Sequence, residues 1–267
     1  MARDIVKNLK FKKYEGKFDV AEFAKMLDDA YLATKRPDGE MTKKSFSPSS
    51  FGYGHGNCPR YWYMAFSGAY FIDSNDAQGI ANMKYGTEAH ERLQNLIKSQ
   101  SSDLFKTNSM NQVQTEIEIT NDYPPIRGFI DLVIDWDSEE VIGEIKTAKQ
   151  EVWDTRQAEM AASSNHMLQL LTYMKLRNAK EAFFLYENKN TQEILLIPIQ
   201  MTAKNKKIID ELFQWLCQVW DNFNEGDLPT RPFLKTSYTC KNCPIKKECW
   251  KGEEGLVDIP AYEVPKI

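Results

Sequence analysis

No apolar run in this 267-residue chain approaches the roughly 20 residues that a membrane-spanning helix needs. The opening Met1-Ala2-Arg3-Asp4-Ile5 also lacks the apolar stretch of a secretory signal, so a cytoplasmic location is expected. Neither sign of charge dominates. Thirty-four Lys plus Arg face 38 Asp plus Glu, a net charge of −4, which excludes a globally basic nucleic-acid coat and leaves that task to local patches. Internal repeats and low-complexity tracts are absent. With 42% hydrophobic and 12% aromatic residues the chain is neither disordered nor collagen-like, and it can bury a sizeable core as one domain or one domain with a small lobe. Cysteine is sparse and odd in number: there are five, three of them close together at Cys240, Cys243 and Cys249. In a reducing compartment such a cluster points to a metal centre before disulfides.

Apolar residues at helical spacing from Val20 to Lys35, behind Asp19 as N-cap, predict an N-terminal helix. Ser45 to Gly56, rich in Ser, Gly and Pro, predicts a loop with at most a turn of helix before Cys58. A second helix is expected over Ile80 to Ser99, with Ile80, Met83, Ala89, Leu93, Leu96 and Ile97 buried and His90 inside it. The period then changes. Val113 to Ile119, Ile126 to Trp136 and Val141 to Thr147 read as a three-stranded meander, punctuated by Pro124-Pro125 and a turn from Asp137 to Glu140. A helix follows over Gln157 to Arg177, then strands Ala182 to Tyr186 and Glu193 to Ile199, and a helix over Asn205 to Asn224. The order predicts an α/β domain with a mixed sheet and cysteine-bearing ends outside it.

Asp131 stands on the second strand of the meander, and Glu144-Ile145-Lys146 begins thirteen residues later on the third. Strand alternation puts Glu144 and Lys146 on one face, and pairing of the two strands can bring Asp131 beside Glu144. Two hard oxygen ligands and an ammonium converging in this way suit Mg²⁺ or Mn²⁺ and phosphodiester hydrolysis. The flanking Leu132, Val133, Ile134, Val141, Ile142 and Ile145 are apolar, so charges embedded there need a partner or a metal.

These residues resemble the PD-(D/E)xK nuclease superfamily, whose Asp and Glu-x-Lys lie on adjacent strands of an αβββαβ core. Gly86-Thr87-Glu88-Ala89-His90 looks like the helical Gly-x-x-x-His element of RecB-type nucleases, and Gln169-Leu170-Leu171-Thr172-Tyr173 like their Gln-x-x-x-Tyr motif. All four elements come in the family's order. The resemblance implies catalytic residues Asp131, Glu144, Lys146, Gln169 and Tyr173, and metal ligands His90, Asp131, Glu144 and Ile145. His55 and His166 match no motif.

Cys240-x2-Cys243-x5-Cys249 supplies three thiolates, and Cys217 or Cys58 can supply the fourth; spacing does not distinguish zinc from an iron–sulfur cluster. Cys217 falls in the apolar pattern of the last helix and is expected in the core. Ser47-Pro48-Ser49-Ser50 through Cys58-Pro59-Arg60-Tyr61 resembles the first-cysteine element of the iron–sulfur branch of RecB-like nucleases, which includes AddB-type domains and the CRISPR-associated fourth Cas protein family. That resemblance implies a [4Fe-4S] cluster on Cys58, Cys240, Cys243 and Cys249, with structural Zn²⁺ as the alternative. The whole chain, 1–267, then forms one RecB-like nuclease domain, with a core over 80–224 and an iron–sulfur lobe made of 45–70 and 231–251.

Arg231, Lys235, Lys241, Lys246, Lys247 and Lys251, interleaved with Phe233, Tyr238 and Trp250, read as a single-strand platform. The expected activity is a metal-dependent exonuclease on single-stranded DNA ends, serving phage recombination, repair or CRISPR-type processing with a partner protein from such a pathway. An endonuclease of the same fold and a non-catalytic DNA-binding subunit are the alternatives.

Overall fold

The structure, a computed structural model, describes residues 17–104, 113–136 and 139–266. The chain's first five residues and positions 137 and 138 of the expected turn lie outside that set. Helix α1 (Val20–Leu32) starts at Asp19, whose carboxylate accepts from the Glu22 amide at 2.9 Å. Two short 3₁₀ turns, Pro48–Ser50 and Gly54–Asn57, occupy the expected loop. Strand β1 (Gly39–Met41) pairs antiparallel with β2 (Ala69–Phe71) across α2 (Pro59–Ser67), whose Arg60, Tyr61, Trp62, Ala65 and Phe66 are buried.

Helix α3 (Ala77–Leu104) contains the expected second helix but buries a narrower stripe. Ile80, Ala89 and Leu93 are buried, whereas Met83 and Leu96 are 53% and 56% exposed, because only the seam carrying Ala89, Leu93 and Gln94 lies against the sheet.

Strands β3 (Gln114–Asn121), β4 (Ile126–Trp136) and β5 (Glu139–Ala148) form the antiparallel meander. The crossover comprises α4 (Gln150–Glu159) and α5 (Ser164–Arg177), and it leads to β6 (Glu181–Asn188), parallel to β5, with β7 (Ile194–Gln200) antiparallel at the edge. The single helix expected over this stretch is thus two. Met160 sits at φ 46° and ends α4, and α5 begins after Ser163. Only Trp153 of α4 is buried, so that helix writes almost no apolar period into the sequence.

Helix α6 (Ala203–Glu225) is capped by Thr202 and terminated by Gly226 at φ 85°, a left-handed position that glycine occupies without strain. It buries Leu212, Leu216 and Val219, but Cys217 is half-buried beside an open groove with Tyr123 and Asp221, not in the core. The helical period puts Cys217 one step off the buried stripe. Short helices α7 (Tyr238–Lys241) and α8 (Lys246–Cys249) close the chain.

One sheet face packs Ile126, Ile130, Ile142, Phe184 and Ile197 against α5 and α6, and the other packs Leu132, Ile134, Ile145 and Leu185 under Leu93 of α3. Two features position the site. The β4–β5 ladder runs only from Trp136–Glu139 to Leu132–Gly143, so it opens at Asp131 and Glu144. The chain ends are also knit together: buried Arg60 donates to the carbonyls of Pro229, at 2.6 Å, and Glu253, while the Ile72 amide donates to Pro244 O at 2.9 Å.

Candidate active site

Ile145 stays paired with Leu185 of β6, but on the opened β4 side its amide is met by a side chain: Asp131 Oδ2 accepts from Ile145 N at 2.7 Å. Asp131 Oδ1 lies 3.5 Å from His90 Nδ1 on α3. Glu144 is 1% exposed; its Oε1 accepts from Lys146 Nζ at 2.6 Å, and its Oε2 has no hydrogen-bond partner. Lys146 Nζ also donates to Gln169 Oε1 at 3.2 Å, and Gln169 Nε2 donates to the Tyr173 hydroxyl at 3.4 Å from one helical turn away on α5. His90, Asp131, Glu144, Lys146, Gln169 and Tyr173 therefore meet at one place. Ile145 buries its side chain beside Leu132 and Leu185, so its main chain is all that it could offer a cation.

Burial first, and then the charge of Asp131, pushes the Glu144 carboxyl up to about 7 against the pull of Lys146. Burial opposes the ammonium of Lys146, yet the Glu144 and Asp131 carboxylates outweigh it and hold its pKa above the usual lysine value. Burial likewise opposes the imidazolium of His90, and the hydrogen bond and charge of Asp131 prevail. Two crowded carboxylates, one with an unpartnered buried oxygen, fit a divalent cation: hard oxygen donors would be satisfied and the like-charge repulsion neutralised.

Glu116 was not legible in the sequence. It lies on β3 opposite Asp131, between the pairs Thr115–Leu132 and Ile117–Ile130, with φ 52°. Ligand atoms of His90, Glu116 and Asp131 all lie within 4.8 Å of one another. Gln94, one turn beyond His90, donates to Glu116 Oε1 at 2.7 Å and to Asp131 O at 3.1 Å. In the alternating pattern of β3, Glu116 looks like any solvent-side acid.

The four motif cysteines are free and half-buried. Burial pushes the Cys58 and Cys243 thiols up to about 12, and Cys240 and Cys249 add to both shifts. 

Among the described residues, however, no three of these sulfurs lie within the 4.8 Å spacing met by the His90 group, so the expected iron–sulfur lobe is not shown as a formed ligand set, nor is a zinc site. Arg231, expected on the DNA platform, is committed internally: it pairs with Glu254 and donates to Cys249 O at 2.7 Å and Gly252 O at 2.8 Å.

The two remaining histidines are structural. His166 Nδ1 pairs with the Tyr186 hydroxyl at 2.6 Å, and burial lowers its pKa to about 3; the His55 ring lies 4.5 Å from that of Tyr61 and burial lowers its pKa to about 4. Both pKa values are depressed, so their contribution to stability is complete above about 6.5, the unfolded value, and is lost as pH falls toward 4. Glu144 works in the opposite direction, so the difference between variants is the measurement. The thermal midpoint of the native chain is expected to fall more between pH 7 and pH 5 than that of His166→Gln, and parallel pH profiles would overturn the assignment.

A family model described as the PD-(D/E)XK nuclease superfamily matches residues 69–250, a span that holds all of these motif residues except Cys58. The chain belongs to that superfamily. It is a nuclease, built on the α/β core with a mixed sheet that the motifs imply. No curated protein sequence matches this nuclease significantly. Solved structures similar to it include SSO0001, at 15% identity over 85% of this chain and 95% of that one, with a TM-score of 0.43. An alkaline exonuclease from Laribacter hongkongensis, LHK-Exo, is 12% identical over 75% of this chain and 95% of its own, with a TM-score of 0.45. A phage-related exonuclease from Haemophilus somnus 129PT is 14% identical over 52% and 72%, with a TM-score of 0.35. Among the described residues, no helix of the nuclease is long and apolar enough to cross a membrane.

Proposed function

We propose that the nuclease is a metal-dependent DNA exonuclease that starts from free ends and prefers single strands. The observation that carries the metal-dependent chemistry is the buried, unpartnered Oε2 of Glu144 beside Asp131 and Lys146. Asp131, Glu144 and the Ile145 carbonyl, with His90 at the edge, would hold Mg²⁺ or Mn²⁺. When bound, the cation polarises a phosphoryl oxygen and makes a coordinated water more acidic. Lys146, steadied by Glu144 and Gln169, orients the attacking water and offsets charge that develops on the phosphoryl group. Gln169 and Tyr173 position that ammonium.

A cavity of about 340 Å³ adjoins these groups through Gln169 and Tyr173, lined also by Ser45, Ser47, Arg127 and Phe129. Hydroxyls and a guanidinium suit phosphate oxygens, and the 43% exposed Phe129 ring suits an unpaired base, which supports a single strand as substrate. A [4Fe-4S] cluster on Cys58, Cys240, Cys243 and Cys249 is part of the proposal. Four thiolates on one zinc ion would stand about 3.8 Å apart, whereas a cubane binds each thiolate to a different iron and spaces them more widely. The setting we propose is cytoplasmic DNA processing in recombination, repair or CRISPR-type pathways, with a partner protein drawn from one of them.

Linear and closed circular single-stranded DNA, incubated in parallel with Mn²⁺, test the end requirement. Linear strands are expected to be degraded at least about 100-fold faster, and comparable cutting of circles would make the enzyme an endonuclease. Binding without cleavage of either form would favour a non-catalytic subunit.

A further inference from the structure

We infer that Arg92, Lys149 and Lys189 form a phosphate-binding site for the DNA strand, outside the catalytic group and a short way along the strand from the scissile bond. The inference rests on the nuclease reading above and deepens it by naming where the rest of the strand is held. The three cations come from three elements: α3 and the ends of the parallel strands β5 and β6. The last pair of that ladder, Ala148–Asn188, brings the next residues together, and the Lys189 amide donates to Ala148 O at 2.8 Å. Burial, and then the charge of Lys149, holds the Lys189 pKa below the usual lysine value. Among the described residues no carboxylate pairs with either ammonium. The Lys189 ammonium lies instead over the Tyr85 ring, 5.1 Å from its centre, which holds it in place.

Arg92 is held more tightly. Its guanidinium pairs with Glu187, a carboxylate with no exposed surface whose Oε2 has no hydrogen-bond partner. A carboxylate buried in this way is unfavourable unless its cation stays put, so Glu187 acts as a positioning residue for Arg92. Only one nitrogen of the guanidinium is spent on it, and the Arg92 side chain is 52% exposed, so the other donors of the fork remain open to solvent.

Tyr85 and Arg92 meet β6 from one flank of α3, while His90 and Gln94 meet β4 from the other. The two groups of side chains therefore lie on either side of the same helix. Lys149 follows Lys146 by three residues, roughly 10 Å along the chain at about 3.3 Å per residue. About one or two nucleotides of an extended single strand cover that distance, so a strand cut beside Lys146 can lay a neighbouring phosphate against Lys149 and Lys189. Helix α4 begins directly after Lys149 and adds the positive end of its dipole there. Ammonium and guanidinium donors suit phosphate oxygens, and a hold of this kind carries no sequence preference.

Binding of fluorescein-labelled linear single strands, measured across a range of salt with Ca²⁺ in place of Mn²⁺, tests the inference. Lys149→Ala combined with Lys189→Ala is expected to weaken binding about 10-fold at about 0.1 M salt and to reduce the slope of log K against log salt by about 1.4, the value for two phosphate contacts on a single strand. With Mn²⁺ the same variant is expected to raise KM about 10-fold and to leave kcat unchanged, because neither lysine touches the reacting atoms. Its melting temperature is expected at or above the native value, since two neighbouring like charges are removed. Arg92→Gln alone strands the buried Glu187, so it is combined with Glu187→Gln, and that pair is expected to reduce the slope by about 0.7. An unchanged slope in the lysine variant overturns the site. So does a fall no larger than the one produced by Lys204→Ala with Lys206→Ala on the exposed side of α6. A lowered kcat with unchanged KM would put the lysines in the chemical step and also overturn it. Native protein that neither binds nor cuts DNA overturns the nuclease reading as well.

Discussion

Glu144→Gln is expected to slow phosphodiester cleavage by roughly 10³-fold, the several kcal/mol that a metal-stabilised charge is worth, while raising the melting temperature of the metal-free protein. The sign follows from proton uptake. The Glu144 carboxyl rises from 4.5 in the unfolded chain to about 7 in the fold, so the native state binds more protons between those values. Stability of the metal-free protein is therefore complete below about 4.5 and declines as pH rises through 7. Glutamine stays neutral, can still accept from Lys146, and removes the cause of that decline. In chelator at pH 8, Glu144→Gln should thus melt above the native chain. With Mn²⁺ present the native chain should gain more than the variant does. Lys146→Met supplies the contrast: it leaves the buried Glu144 carboxylate without its cation and is expected to cost about 3–5 kcal/mol. A variant Glu144→Gln that melts below the native chain in chelator would show that the carboxylate is structural.

Cys58→Ser is expected to abolish iron binding and to lower stability more than any single active-site change. Cys58 precedes α2, whose Arg60 reaches the carbonyls of Pro229 and Glu253, so the proposed cluster would join segments already tied by hydrogen bonds and would fix their relative placement. Iron content and melting temperature of anaerobically prepared protein should fall together in Cys58→Ser, Cys240→Ser, Cys243→Ser and Cys249→Ser. Cys217→Ser should retain the iron, since Cys217 lies by a separate groove with Tyr123. Native protein that carries stoichiometric zinc and no iron would replace the cluster with the zinc alternative, and iron retained in Cys58→Ser would remove that residue from the ligand set.

The parts of this molecule that were legible in advance are those with a period or a spacing. The meander was visible because β4 packs apolar residues on both faces and ends at Trp136, as anticipated. Asp131 and Glu-x-Lys could be paired because strand alternation and a short turn leave few registers. Helix α4 was not visible, because a helix that buries only Trp153 carries no apolar stripe. Cys217 was misplaced for a related reason: a residue one step from a buried stripe has apolar neighbours in sequence without sharing their burial. Glu116 depends on the register of β3 with β4 and on a left-handed backbone, and neither leaves a trace in residue order. Of the basic residues expected to form a single-strand platform near the end of the chain, Arg231 clamps carbonyls instead. Arg127 and Phe129, which line the cavity beside Gln169 and Tyr173, are two residues in a strand and make no cluster in the sequence.

The clasp between the chain ends carries a kinetic consequence. The contacts of Arg60 span 169 and 193 residues, whereas the catalytic meander joins neighbours across short turns. Loop closure over such distances penalises early formation, so Asp131 and Glu144 come together while the clasp is still open. During synthesis the catalytic strands leave the ribosome well before Glu253 exists. The clasp is therefore expected to close late, after β4 and β5 have brought Asp131 and Glu144 together.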